Sequence, residues 1–359
     1  MTVRQSPDID PRMVDFAALG AWMDREGLPG GPFENAEVLP GGTQNILVRF
    51  SRDGQTYVLR RPPPHPRPRS NDVLRREIAV LSALSATHLP HPRLIAACSS
   101  ESVMGVVFYL TTMIDGFNPT NVLPAPHAAD AAMRHEMGLT AIDALAGLGE
   151  IDYREVGLEG LGRPDGFIDR QVGRWLRELA SYDDLDGYPG PDLPGLDAIA
   201  GWLASHKPPS WRPGIMHGDY HLGNLLYAWD GPDVAAVLDW EMCTIGDPLL
   251  DLGRVIAAWP TADEPMAAAG PIYAATGLPT ARELAERYAR RSARPLDALN
   301  WYVVLACFKL GIVLEGTYAR AFAGQADKQV GDRLHATTLA LFERANTLIH
   351  EPGGAAALL

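Results

Sequence analysis

Cysteine is scarce in this chain. Cys98, Cys243 and Cys307 are the only three in 359 residues, and their scatter without metal-ligand spacing fits a reduced interior better than a disulfide framework. Cys243 lies near the motif described below, but it has no basic neighbour in sequence and reads as packing. Positive charge is also short: 31 Lys and Arg against 44 Asp and Glu leave a formal charge of −13. That balance argues against a nucleic-acid surface. No run approaches the roughly eighteen apolar residues of a membrane span, and the first residues are polar and proline-bearing, unlike a signal segment. The expectation is a cytoplasmic protein without nucleic-acid or membrane partners.

What is present is enough apolar sequence, 47%, to bury a large core, in a chain longer than one compact unit usually is. Helical periodicity at Val14, Leu19 and Trp22 predicts a helix from Val14 to Glu26, ended by Gly27. Strands are expected at Glu37–Leu39, Ile46–Phe50 and Thr56–Arg60, with a turn at Arg52-Asp53-Gly54. The polar loop before the second strand includes Gly42, Thr43, Gln44 and Asn45, and its glycines would let backbone amides approach a phosphate, although most such pairs are only turns. Asn71 to Leu84 reads as a helix whose apolar stripe is edged by Glu77. A carboxylate turned partly inward needs a cation, and Arg60 at the end of the third strand is the chosen partner. Apolar runs Leu94–Cys98 and Val103–Met113 complete a small sheet. From His127 onward the pattern turns helical, at Asp130–Leu148, Phe167–Leu179, Leu196–His206, Ala281–Arg291, Leu296–Phe322 and Lys328–Ile349.

Inside the helical part lies the most informative stretch, His217-Gly218-Asp219-Tyr220-His221-Leu222-Gly223-Asn224, followed by Asp239-Trp240-Glu241. Between them, Leu225–Trp229 and Val234–Leu238 flank the turn formers Asp230-Gly231-Pro232-Asp233, which predicts a hairpin. Folding it would bring Asn224 level with Asp239, and an amide oxygen beside a carboxylate suits Mg²⁺. Asp219 on the entering loop would accept a proton from an attacking hydroxyl. Asp, then Asn five positions on, then a second Asp beyond a hairpin is the spacing of a phosphoryl-transfer site. A polar loop whose Asp and Asn merely satisfy backbone donors is the plainer alternative. Downstream, Asp247 and Pro248 should start a helix running to about Trp259, with Asp247 capping it and Asp251 bracing the catalytic loop through His217.

The set Arg60, Glu77, His217-Gly-Asp219 with Asn224, and Asp239-Trp-Glu241 with Gly246-Asp247-Pro248 resembles the aminoglycoside phosphotransferase family of small-molecule kinases, itself similar to choline and homoserine kinases. The likeness spans roughly Val38 to Phe322. Tyr57-Val-Leu-Arg-Arg-Pro-Pro-Pro64 and Gly166-Phe-Ile-Asp-Arg-Gln-Val-Gly-Arg-Trp175 carry a narrower similarity to the kinase-like domains fused to some acyl-CoA dehydrogenases. The resemblance implies an α+β, protein kinase-like fold of two lobes: residues 1–115 a nucleotide-binding lobe with a small antiparallel sheet, residues 116–359 a mainly helical lobe with the acceptor site. It implies ATP and Mg²⁺ as cofactors, Asp219 as catalytic base, Asn224 and Asp239 as metal ligands, and Arg60 with Glu77 as the phosphate-positioning pair. The backbone of Thr112 and Ile114 would reach the adenine. Two departures stand out: Arg60 replaces the usual lysine, presenting a planar fork where a compact ammonium normally sits, and Leu148-Gly149 replaces a Leu-His pair.

The acceptor, a small-molecule hydroxyl compound, is expected around Arg170, Arg174, Trp175, Trp301, Lys309, Glu315 and Tyr318. A hydroxyacyl-CoA-like compound, a cationic aminoglycoside or choline-like molecule, and a nucleotide-binding module without turnover are the competing readings. Arginines near the acceptor would favour the first and carboxylates the second. His221 is expected either to contact the γ-phosphate or to make a structural hydrogen bond.

Overall fold

Strand β1 (Glu34–Val38) opens a five-stranded antiparallel sheet in the order β1-β2-β3-β5-β4. Strands β2 (Ile46–Arg52) and β3 (Gln55–Arg61) stay in register from Ile46↔Arg61 to Arg52↔Gln55. The two-residue turn between them explains this. Asp53 and Gly54 both take positive φ, 50° and 74°, the conformation whose twist matches that of the strands it joins. β4 (Leu94–Cys98) and β5 (Phe108–Thr112) complete the sheet. β5 is shorter than the expected Val103–Met113, because Gly105 at φ 73° donates its N–H to the Glu101 carbonyl and makes a turn there. Helix α1 (Phe16–Arg25) starts on an Asp15 side chain that accepts the Ala18 N–H. Its Phe16 and Trp22 pack with Phe33, Phe50 and Phe108 of the sheet unit. Helix α2 (Ser70–Leu84) buries Leu74, Glu77, Leu81 and Leu84.

The computed structural model describes residue 9 and residues 13–40, 45–260 and 270–350. The chain divides into two units, one of Met1–Gly116 with Val156–Leu158 and Ala235–Glu241, the other of Phe117–Glu155, Glu159–Val234 and Met242–Leu359. The second is mainly helical: α3 (Ala125–Ala129), α4 (Ala131–Glu150), α5 (Phe167–Ala180), α6 (Leu196–Ser205), α7 (Leu249–Ala257), α8 (Pro271–Ala274), α9 (Ala281–Arg291), α10 (Leu299–Phe322) and α11 (Lys328–His350). β6 (Gly214–Met216) pairs antiparallel with β9 (Thr244–Gly246). The hairpin expected after Asn224 is the two-stranded ribbon of β7 (Leu225–Tyr227) and β8 (Val234–Val237), with Ala228 donating to the Asp233 carbonyl across the turn. This is the α+β arrangement expected from the sequence.

Helix α10 is the core of the second unit, packing on α5, α6, α7 and α11. By length and composition it is long and apolar enough to cross a membrane, although Lys309 and Glu315 interrupt its apolar residues. Most of its apolar residues, among them Trp301, Leu305, Phe308 and Ile312, are buried within the unit.

Candidate active site

In the first unit, alternation along β3 puts Tyr57, Leu59 and Arg61 on one face and Arg60 on the other. Register sets Arg60 opposite Tyr109 of β5. Both side chains reach Glu77 of α2, whose carboxylate is only 1% exposed: Arg60 Nη2 lies 2.8 Å from Oε1, and the Tyr109 hydroxyl donates to Oε2 over 3.1 Å. The same guanidinium donates to Asp239 Oδ1 at 2.9 Å and lies 3.7 Å from Glu241 Oε2. Oxygens of Glu77, Asp239 and Glu241 come within 4.8 Å of one another. One positive charge therefore serves three carboxylates. Burial pushes the Glu77 carboxyl up to about 7, with Asp239 and Glu241 adding to the effect and Arg60 opposing it. Burial works against the Arg60 charge, but Glu77, Tyr109 and Asp239 outweigh it and hold the guanidinium protonated. Asp239 adopts φ 63°, a left-handed conformation uncommon for residues other than glycine.

In the second unit, β6 delivers the chain into the motif loop, which three long-range contacts hold in place. Asp251 of α7, fully buried, accepts the His217 N–H at 2.6 Å and the Gly218 N–H at 3.0 Å. It braces the loop as expected, through the His217 backbone. Lys309 of α10 donates to the Gly218 carbonyl at 2.9 Å. Gly218 has φ 88°, and a Cβ there would stand 2.4 Å from the Met242 carbonyl oxygen, so only glycine fits.

Within the loop, Asn224 Nδ2 donates to the Asp219 carbonyl at 2.9 Å. That bond orients the amide so that its oxygen is left for another partner, as a metal ligand requires. His221 Nδ1 accepts the Gly223 N–H at 3.0 Å, which puts the proton of the neutral ring on Nε2, 3.4 Å from Asp219 Oδ2. The structural role for His221 is therefore present. Arg254 Nη2 approaches Asp219 Oδ1 at 3.6 Å. Burial would raise the Asp219 carboxyl, but the His221 hydrogen bond and the electrostatic attraction of His221, Arg254 and His217 outweigh it and hold it well below the usual carboxylate range. It is a permanent anion at neutral pH.

The structure thus brings Arg60, Glu77 and Asp239 together in one unit, and Asp219 and Asn224 together in the other. Asn45 is buried at the start of β2, whereas Gly42, Thr43 and Gln44 lie outside the described residues. The Thr112 N–H already donates to the Arg93 carbonyl at 3.0 Å; Ile114 follows β5 in irregular chain. Asp247 accepts the Leu249 N–H at 3.1 Å, as a cap does, and also the Tyr302 hydroxyl at 2.5 Å.

Several residues expected near the acceptor are committed elsewhere. Trp301 is buried with its indole N–H on the Leu203 carbonyl. Glu315 is fully buried, accepting from Tyr188 at 2.8 Å and lying 2.7 Å from His335, on which Tyr318 stacks. Arg170 turns back to the Asp165 and Arg163 carbonyls. All three clusters are packing between helices or within a helix start, which a side-chain inventory does not separate from a site. Conversely, Tyr109, Glu241 and Arg254 were not singled out as site residues. Glu241 alone carried a signal, two positions after Asp239 within the quoted motif.

The profile of the phosphotransferase enzyme family matches residues 35–287. Acyl-CoA dehydrogenase family member 11 of Gallus gallus is 31% identical over 317 residues, covering 84% of this chain and 39% of that protein. The chain thus spans about two fifths of such curated relatives. A crystal structure from Ralstonia eutropha JMP134, provisionally assigned as an aminoglycoside phosphotransferase, is 29% identical with a TM-score of 0.77, covering 92% of this chain and 98% of that one. A thermostable mutant aminoglycoside phosphotransferase in ternary complex with AMP-PNP and hygromycin B shares the fold at 16% identity and a TM-score of 0.54, over 89% of this chain and 97% of that one.

Proposed function

Because the chain belongs to the phosphotransferase enzyme family, we propose that it transfers the γ-phosphoryl group of ATP to a hydroxyl of a small molecule. The observation that carries the reading is the motif loop: an ionised Asp219, fixed through its own carbonyl to Asn224 and through its backbone N–H to His217. Asp219 orients the acceptor hydroxyl and takes its proton as the bond to phosphorus forms. A carboxylate with so depressed a pKa is a weak base before reaction, so most of the acceleration comes from positioning and charge stabilisation.

Asn224 and Asp239 are the residues that would hold Mg²⁺, which neutralises phosphate oxygens when bound. The donor set fits, since amide and carboxylate oxygens are what a hard cation takes. Arg60, kept protonated by its carboxylates, and the loop Gly42, Thr43, Gln44 and Asn45 are assigned to the nucleotide phosphates, and the backbone of Thr112 and Ile114 to the adenine. We favour a hydroxyacyl-CoA-like acceptor over an aminoglycoside, because the curated relatives are named acyl-CoA dehydrogenases.

An ADP-release assay with Mg-ATP against hydroxyacyl-CoAs, small hydroxylated metabolites, choline and aminoglycosides tests this. Turnover with a hydroxyl compound is the expected result. Measurable Mg-ATP binding without turnover on any of them would make the protein a nucleotide-binding module instead.

A further inference from the structure

Around Asp219 the second unit gathers cations whose hydrogen-bonding capacity the contacts described above do not exhaust. Arg254, one turn along α7 from Asp251, is 14% exposed. Among the described residues its one ion pair is the 3.6 Å approach to Asp219, and its buried Nη1 finds no hydrogen-bond acceptor. A guanidinium is built to hold two oxygens of one anion at once. A single carboxylate at 3.6 Å leaves that capacity unused.

Two more cations converge on the same region. Lys309 reaches the Gly218 carbonyl, next to Asp219, and stands 5.6 Å from the Trp175 ring centre, while Arg174 lies 4.9 Å from the same centre. Among the described residues, Asp219 and Asp251 are the carboxylates that act on Lys309, Asp219 is the one paired with Arg254, and Asp251 is taken up by two backbone N–H groups. Three positive charges against two negative leave a surplus, in a protein whose total charge is −13. Burial and the neighbouring Arg254 and Arg174 charges both lower the Lys309 pKa, against Asp251 and Asp219, as expected where cations crowd.

We propose that Arg254, backed by Lys309 and Arg174, binds an anionic group of the acceptor, carboxylate or phosphate, beside the Asp219 carboxylate. The acceptor class is then a hydroxylated anion, and a polycationic acceptor is disfavoured by the same charges. This assignment rests on the phosphoryl-transfer reading for its word "acceptor", but the anion site itself does not need turnover to be observed.

The test pairs anionic with neutral hydroxyl compounds on the full chain: 4′-phosphopantetheine with pantetheine, 3-hydroxybutyrate with its amide, and kanamycin as the cation. Binding is measured by equilibrium dialysis without nucleotide, and turnover by ADP release. Wild type should prefer the anion of at least one pair. Arg254→Gln should weaken that anion about tenfold or more in Kd and leave the Kd of its neutral counterpart unchanged; kcat is not the readout, because Arg254 also faces Asp219. Arg254→Lys should keep most of the preference, and the exposed Arg174→Gln, which should weaken the same anion and not its neutral counterpart, serves as the loss variant should Arg254→Gln not fold. The two pairs separate phosphate from carboxylate. Anion preference without turnover supports the site while removing the catalytic reading. Turnover with equal or better use of neutral compounds or kanamycin, or an equal change in Kd for both members of a pair in Arg254→Gln, overturns the proposal and leaves the catalytic reading standing.

Discussion

Arg60 and Asp239 are 179 residues apart in the chain and 2.9 Å apart in space. Asp239 sits there in a left-handed conformation, which costs an L-residue roughly 1–2 kcal/mol; the ion pair helps to hold it.

Removing the arginine takes the cation from the buried Glu77 carboxylate and from Asp239. Arg60→Met should lower unfolding stability by about 3–5 kcal/mol, the range for breaking a buried pair from one side. Arg60→Lys should lose less, since it keeps the charge. Urea denaturation measures both, and an unchanged midpoint in Arg60→Met would show that the cluster contributes nothing.

Glu77 gives this cluster a pH signature. Its folded pKa, about 7, lies above the ordinary value of 4.5, so between those limits the folded state binds more protons than the unfolded one. Stability from this group is therefore full below about 4.5 and declines as pH rises through 7. Glu77→Gln should flatten that decline in thermal melts of the metal-free protein. A slope identical to wild type would place the titration elsewhere.

Asp219 behaves oppositely. Its folded pKa is depressed by His221 and Arg254, so the stability it lends is present above its unfolded value and lost only as pH falls through the folded one. Activity should show no acid limb from this group near pH 5 to 6. Asp219→Asn should cut kcat by about 10³ or more while Mg-ATP binding, read by calorimetry, stays near wild type. Near-normal turnover in that variant would remove Asp219 from the mechanism.

Asp251 positions the loop and touches no reactant. In Asp251→Asn one acceptor oxygen becomes an NH₂ group facing a backbone N–H, at a cost of about 1–3 kcal/mol. A loop displaced by an ångström should lose on the order of a hundredfold in kcat. The measurement is kcat beside nucleotide Kd: equal loss in both would mean general unfolding instead of misplacement.

Much of the architecture was legible because its causes are local. The β2–β3 turn needs two adjacent residues that tolerate positive φ, and Asp53-Gly54 supplies them. The α2 stripe turns Glu77 inward by helical spacing alone, and a buried carboxylate then demands a cation such as Arg60. Asp219 and Asn224 are five residues apart, so one hydrogen bond within the loop joins them.

Other contacts depend on how distant elements pack, and no period in the sequence encodes that. The amino-acid sequence by itself determined the α+β pattern, the hairpin and the motif spacing, since backbone geometry ties these to neighbouring residues. Only the tertiary structure decided that Tyr109 and Glu241 join Glu77, that Lys309 and Arg254 face the Asp219 loop, and that Trp301 and Glu315 belong to the core. The physical reason is that a polar side chain on a helix turns toward a site or into the interior according to the partner it finds, and the partner comes from another element.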